Sequence, residues 1–218
     1  MSARFLPALV ALLLAGCGGG RGHGTATLWI THDRGNEVVL TATVPAGETA
    51  MQALDRKTRI DTAYGGRFVQ AIDGTASSRS PQRDWFYYVN GIEGDVGAAE
   101  YRLRPGDVEW WDYHAWEDPA AEPVVVGAFP EPFLHGYGGK RRPAVVLGDG
   151  PAAAKLARLL HAGRRPARGA NVLVVSAGDP VFHAVKHGST VEFVVGARDA
   201  VRLAANPSAA RYRFEGLR

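Results

Sequence analysis

The aromatic run Trp85–Val89 places large side chains on both faces of any strand that it forms, because successive residues of a strand point to opposite faces. A sheet covered by a helix on one side only would leave half of these rings in water. The run therefore needs a second cover. It can be a ligand or partner that binds exposed rings, or another part of the same chain that packs on them.

The segments around this run predict an α+β domain. A capping box, Thr49-x-x-Gln52, predicts a helix from about Ala50 to Lys57. One such helix against a mixed sheet buries one face of the sheet and leaves the other open. The segments with strand composition are Thr25–Thr31, Val38–Val44, Phe68–Ile72, Trp85–Asn90 and Val108–Trp116.

Charge divides the chain. Residues 18–118 contain 10 basic and 15 acidic residues, whereas residues 119–218 contain 14 and 7, and all five tryptophans precede the boundary. We therefore predict a first domain over residues 25–118 and a small basic α/β domain over residues 124–218. Its predicted strands are Pro123–Ala128, Ala144–Leu147, Asn171–Ser176 and Val191–Val195, and its predicted helices are Pro151–His161 and Arg198–Ala205.

The N-terminus predicts export. Residues 1–16 read as a signal peptide with a basic residue, a short apolar run and small residues before Cys17. Leu-Ala-Gly-Cys resembles the bacterial lipobox, which implies that Cys17 is lipidated and anchors the protein to the cell membrane. Residues 17–24 are a glycine-rich tether. We expect an extracytoplasmic protein that has no disulfide, because Cys17 is the only cysteine, and no nucleic acid partner.

Four segments of the first domain carry a resemblance. The first resembles the strand-to-helix entry of the transcobalamin C-terminal-like domain, a β-grasp module of bacterial surface lipoproteins, and the second resembles its Gly-x-x-Val-x-x-Ile-x-Gly strand. The third and fourth together resemble its ending, which contains Tyr-Val-Asn-Gly, Gly-x-x-x-Tyr and Gly-Asp. The resemblance covers about residues 25–116. The segments are Val44–Leu54, Gly66–Gly74, Trp85–Gly91 and Gly97–Val108.

This resemblance implies a ligand. In the vitamin B12 carriers of this family, the loop after the Ile-x-Gly strand contacts the corrin, and here that loop follows Ile72. Those carriers also have a large helical domain, which this chain lacks. Residues 119–218 or a separate protein would have to supply the other half of the binding site.

We therefore hypothesise a binding protein for a flat small ligand, with cobalamin as one candidate and no other cofactor. Exposed rings provide the platform and nearby polar groups the donors. A visible-absorbance titration with cobalamin tests this version. The expected ligand-binding residues are Ile72, Asp73, Gly74, Ser77, Ser78, Trp85, Tyr87, Asn90, Trp111 and Tyr113.

The alternative is a non-catalytic adhesion module whose rings dock an envelope protein or cell-wall glycan, which retention on purified envelope components would test. The rings can also form a plain interface between the two domains. Gly148-x-Gly150-x-x-Ala153 fits a relaxed dinucleotide-binding pattern, although we expect only a tight strand-to-helix turn there. His183 and His187 have the spacing of a helical metal pair, but we expect them in a solvated loop, and His114 stands among aromatic residues. None has the context of a nucleophile or a metal site, so we expect neither an enzyme nor a metal protein.

Overall fold

The computed structural model describes residues 24–116, called here the first half, and 122–218, called the second half. The molecule is α+β. The elements of the first half are β1 (Thr25–His32), β2 (Glu37–Pro45), α1 (Ala50–Asp55), β3 (Ile60–Ala63), β4 (Phe68–Ile72), β5 (Thr75–Ala76), β6 (Ser78–Arg79), β7 (Gln82–Val89), β8 (Ile92–Glu93) and β9 (Val108–Ala115). Those of the second half are β10 (Ala144–Leu147), α2 (Gly150–Leu159), β11 (Asn171–Ser176), β12 (His183–His187), β13 (Thr190–Gly196) and α3 (Ala197–Ala205).

The main sheet of the first half has the order β2-β1-β9-β7-β6, with β8 paired to β7. Its central strands β1 and β9 are parallel, and the other pairs are antiparallel. A central parallel pair with one antiparallel strand on each side is the strand order of a β-grasp sheet. Strands β3, β4 and β5 form a separate small sheet beside it.

Helix α1 begins at the predicted capping box. The Thr49 hydroxyl accepts from the backbone N–H of Gln52, and the Gln52 side chain accepts from the backbone N–H of Thr49. Its buried side chains pack with those of β1, β7 and β9 that point to the same face, including Leu28, Trp85 and Trp111. The helix-side face of the main sheet is therefore a closed core.

The opposite face of the main sheet is closed as well. Trp29, Tyr88 and Trp110 pack there against Tyr212 and Phe214 near the C-terminus. Val125 and Ala128, from a short 3₁₀ segment and the residue before it, complete this cluster. The expectation that one face stays open is wrong, because the second half supplies the missing cover.

The second half has its own four-stranded sheet, in the order β10-β11-β13-β12. The first three strands are parallel and β12 is antiparallel. The strand, turn and helix around Gly148 and Gly150 form as predicted. Helices α2 and α3 bury alanines and leucines against this sheet, and Phe133, Phe182 and Phe193 fill the core.

Two local predictions fail. Pro123–Ala128, predicted as a strand, contains a 3₁₀ turn at Val126–Ala128, because its apolar residues cover the aromatic face of the main sheet instead of extending a ladder. His183 and His187, expected in a loop, are the two ends of β12. Within the described residues no helix is long and apolar enough to span a bilayer. Cys17 and the expected signal peptide lie outside the described residues.

Candidate functional site

The aromatic platform expected from the sequence is not exposed. Trp85 and Trp111 are only 6% and 3% exposed and belong to the core beneath α1. The Trp85 indole donates to the carbonyl of Thr75 over 2.9 Å, and the Tyr113 hydroxyl donates to the carbonyl of Ala76 over 2.9 Å. These hydrogen bonds hold β5 against the main sheet. The two tryptophans are too buried for a ligand to stack on them, and Tyr113 is half-buried.

Tyr87 has a related role at the other end of the same face. It stacks on Trp111 with ring centroids 5.2 Å apart, and its hydroxyl donates to the carbonyl of Val96. Trp111 in turn donates to Glu109 over 2.6 Å. Burial raises the pKa of the Tyr87 phenol, with a smaller effect of Asp95 in the same direction. Tyr87 therefore holds the loop Gly94–Val96 against the helix-side core through its hydrogen bond to Val96.

The predicted loop after Ile72 is held by contacts within the first half. Ile72 is buried, and Asp73 accepts from the backbone N–H of Arg59 over 2.8 Å, with Gly74 completing the turn at a positive φ. The Ser77 hydroxyl donates to Asp84, and the Ser78 hydroxyl accepts from the backbone N–H of Ser80. The polar groups expected to contact a ligand are engaged in turns.

Asn90 is a buried side chain that links the two halves by hydrogen bonds. Its Nδ2 donates to Asp107 over 2.8 Å and to the carbonyl of Gly136 over 2.7 Å, while its Oδ1 accepts from the backbone N–H of Val108 over 2.8 Å. All these groups belong to the protein, so Asn90 positions the second half and has no donor left for a ligand. Asp107 also accepts from the backbone N–H of Arg104.

A cleft of about 350 Å³ lies next to this junction, where the two halves meet. None of the ten ligand-binding residues expected from the sequence lines it. The first half contributes Ile92, Asp95, Val96 and Tyr101, and the second half contributes Pro132, Gly136, Tyr137, Gly138, Lys140, Arg142, Asn171, Lys186, Gly188, Ser189 and Val191.

Two tyrosines join the walls of this cleft. The Tyr101 and Tyr137 rings lie 5.3 Å apart between centroids and tilt by 42°. The Tyr137 hydroxyl donates to Asp95 over 2.6 Å, and the backbone N–H of Gly138 donates to the Tyr101 hydroxyl over 3.0 Å. Each hydroxyl thus bonds the opposite half. Burial, assisted by Asp107, raises the pKa of Tyr101 to about 12, so both rings stay neutral donors and acceptors at physiological pH.

Sequence reasoning missed this site, although the chain carries a signal for it. Gly136 to Gly139 surround Tyr137 with three glycines, and the basic run Lys140-Arg141-Arg142 follows at once. A glycine-rich loop beside a basic run is a common way to bring backbone donors and cations together. What the sequence cannot show is that this loop folds onto Tyr101, which lies 36 residues earlier.

His114 belongs to a separate buried cluster. Its Nδ1 lies 2.7 Å from Asp112, and its ring stacks on Phe86 at 4.3 Å. Its Nε2 lies 4.0 Å from Glu122, which also binds Arg34. The Phe214 ring covers this group edge-on at 5.3 Å. His114 and Asp112 are buried in this cluster, which links the first half to Glu122 and Phe214 of the second half.

Residues 24–116 and 122–218 contain no group of three His, Cys, Asp or Glu side chains arranged to hold a metal ion. The candidate site is therefore the cleft, which can bind by ring contacts and hydrogen bonds.

The family comparison covers part of the first half. The family described as Domain of unknown function (DUF4430) matches residues 47–115, less than half of the chain. No curated protein matches the sequence.

Two solved structures are similar over part of the chain. A protein of Ruminococcus gnavus ATCC 29149 to which metal binding is attributed shows 14% identity and a TM-score of 0.34, over 41% of this chain and 95% of that one. Haptocorrin in complex with Cbi shows 16% identity and a TM-score of 0.36, over 43% of this chain but only 25% of haptocorrin. Both similarities are partial, and neither identifies what this chain does.

Proposed function

We propose that this chain is a lipid-anchored extracytoplasmic binding protein that takes a small ligand into the cleft between its two halves. The observation that carries the proposal is the cleft itself, whose walls come from both halves and meet at Tyr101 and Tyr137. A volume of about 350 Å³ is within the ordinary range for small-molecule pockets, roughly 300–1,000 Å³. Lipidation of Cys17 would hold this cleft outside the cell.

The lining suits capture without chemistry. Ile92, Val96 and Val191 line the cleft together with the tyrosine pair, and a smaller set of polar side chains lines it as well. Binding sites of this kind use a mostly apolar surface for affinity and a few polar groups for orientation. The proposed role is therefore binding and not catalysis.

Cobalamin is the first ligand to test, because the sequence resemblance implies it. A whole corrin is far larger than this cleft, so only one edge or side group would enter between Tyr101 and Tyr137. The rest of the ligand would then lie against the outer rim or a separate protein.

The test is a visible-absorbance titration of cobalamin with the purified protein and two variants. Tyr137→Ala removes a cleft ring, and Tyr64→Ala removes a tyrosine that is 83% exposed and lies outside the cleft. We expect saturable binding that Tyr137→Ala weakens about tenfold, the order of one lost ring contact with its hydrogen bond, and that Tyr64→Ala leaves unchanged. No spectral change at high micromolar concentration would remove the cobamide version.

A further inference from the structure

Three cationic side chains line the cleft on the side of the second half: Lys140, Arg142 and Lys186. Arg142 and Lys186 are half-buried, whereas Lys140 is exposed. No carboxylate among the residues that the structure describes forms an ion pair with any of them. Cations on the wall of a concave site attract anions more strongly than the same cations on an open surface, since the protein walls focus the field.

The acidic groups nearby do not cancel this charge. Among the described residues that line the cleft, Asp95 is the only acidic side chain, and it faces three cations there. Glu93 lies close enough to Lys186 to interact with it but does not line the cleft. The cleft therefore keeps an excess of positive charge.

A buried amide adds a directional donor. Asn171 is 3% exposed and lines the cleft. Its Oδ1 accepts from the backbone N–H of Val191 over 3.1 Å, which fixes the orientation of the amide. With Oδ1 engaged in this way, Nδ2 is the end of the amide that can donate to an acceptor on a ligand.

Aromatic and apolar side chains line the cleft as well. Tyr101 and Tyr137 do so together with Ile92 and Val96. A ligand that fills the cleft can therefore place an apolar ring against these side chains and acceptor oxygens against the cations.

We propose that the cleft binds a small anionic ligand, with a phosphate or carboxylate against Arg142, Lys186 and Asn171 and a flat apolar ring against Tyr101 and Tyr137. This inference rests on the proposed function and specifies its ligand class. Arginine suits such a group because its guanidinium can donate two parallel hydrogen bonds to one anion.

The experiment uses simple probes of matched shape. Phenyl phosphate and benzoate are anionic, benzamide is neutral, and benzylamine is cationic. Isothermal titration calorimetry with the purified protein should show binding of the two anions, at least tenfold weaker binding of benzamide and none of benzylamine. Affinity for phenyl phosphate should fall when salt is raised from about 20 mM to about 200 mM, because added ions screen the attraction.

Variants locate the effect. Arg142→Gln and Lys186→Gln should each weaken phenyl phosphate binding about tenfold or more, the order expected for one charge-assisted hydrogen bond. Benzamide binding should change little in either variant. Lys155→Gln is the matched control, since Lys155 is exposed on α2 outside this cleft.

The outcomes separate the two proposals. Equal affinity for phenyl phosphate and benzamide, both weakened by Tyr137→Ala, would overturn the anionic ligand and keep the binding cleft. Absence of binding by every ring probe and by cobalamin would overturn the proposed function itself.

A phospholipid headgroup could present the same phosphate. Cosedimentation with phosphatidylcholine vesicles that contain phosphatidylglycerol distinguishes this source. We expect Arg142→Gln and Lys186→Gln to leave cosedimentation unchanged. Vesicle binding that depends on both residues, without phenyl phosphate binding, would overturn the small-ligand inference.

Discussion

Glu109 lies on β9 with no exposed surface, and only one of its carboxyl oxygens has a partner, the Trp111 indole. Burial raises the pKa of Glu109 well above its ordinary value. The burial of Glu109 could not be predicted from the sequence. Alternation along a strand shows which face is buried only when the other face is clearly polar, and here Glu109 is followed by Trp110 and Trp111. The same ambiguity explains why Trp85 and Trp111 were predicted to be exposed when both are in the core.

Glu109→Gln should change how stability depends on pH. In the unfolded chain Glu109 ionises near 4.5, whereas in the folded protein it stays protonated to higher pH. The folded state therefore binds the extra proton above pH 4.5, and stability falls as pH rises, by at most about 1.4 kcal/mol per pH unit for one group. Urea unfolding at pH 4.5 and pH 7 should show the variant gaining stability relative to wild type at pH 7 only. Parallel pH profiles for the two proteins would mean that Glu109 is ionised in the folded state.

Most strands and helices could be predicted from the sequence, because alternation, caps and turn residues act over a few positions. Phe68–Ile72, Ala144–Leu147 and Asn171–Ser176 begin and end where predicted. The packing of the second half on the aromatic face could not be predicted, because Phe214 contacts Tyr88 and Trp110, which precede it by more than a hundred residues. Such a contact depends on the packing of whole elements and leaves no local pattern.

Phe214→Ala tests how much the packing of the C-terminal segment on the aromatic face contributes to stability. The ring is buried and packs edge-on against Trp110 at 5.2 Å. Its removal should lower the free energy of unfolding by about 3 kcal/mol or more, the usual cost of truncating a buried phenylalanine. Phe68→Ala is the matched control, because Phe68 is exposed on β4, and should cost less than about 1 kcal/mol. Urea denaturation measures both, and equal costs would contradict the cover.

The contacts between the two halves include the aromatic cluster around Trp110, the Asn90 hydrogen bonds, the tyrosine pair of the cleft and the cluster of His114, Arg34 and Glu122. Each of these contacts buries groups that would be exposed or unpaired if one half unfolded alone. The cleft exists only while the halves stay together, so binding and overall stability depend on the same contacts. The sequence indicated two parts through their charge, but charge says nothing about how closely two parts pack.

The whole molecule should therefore unfold in one cooperative step. Tryptophan fluorescence reports the first half, because all five tryptophans precede residue 117, while far-ultraviolet circular dichroism reports the strands and helices of both halves. Coincident urea transitions by the two signals are expected for a two-state protein.

Asn90→Ala should move both transitions together to lower urea concentration. It should lower the free energy of unfolding by about 1–3 kcal/mol, because it leaves Asp107 and the Gly136 carbonyl buried without their donor. Gln70→Ala, an exposed amide on β4, should shift neither transition. If the fluorescence transition separates from the dichroism transition in the wild-type protein, the halves unfold independently, and the cleft would then be a mobile boundary instead of a formed binding site.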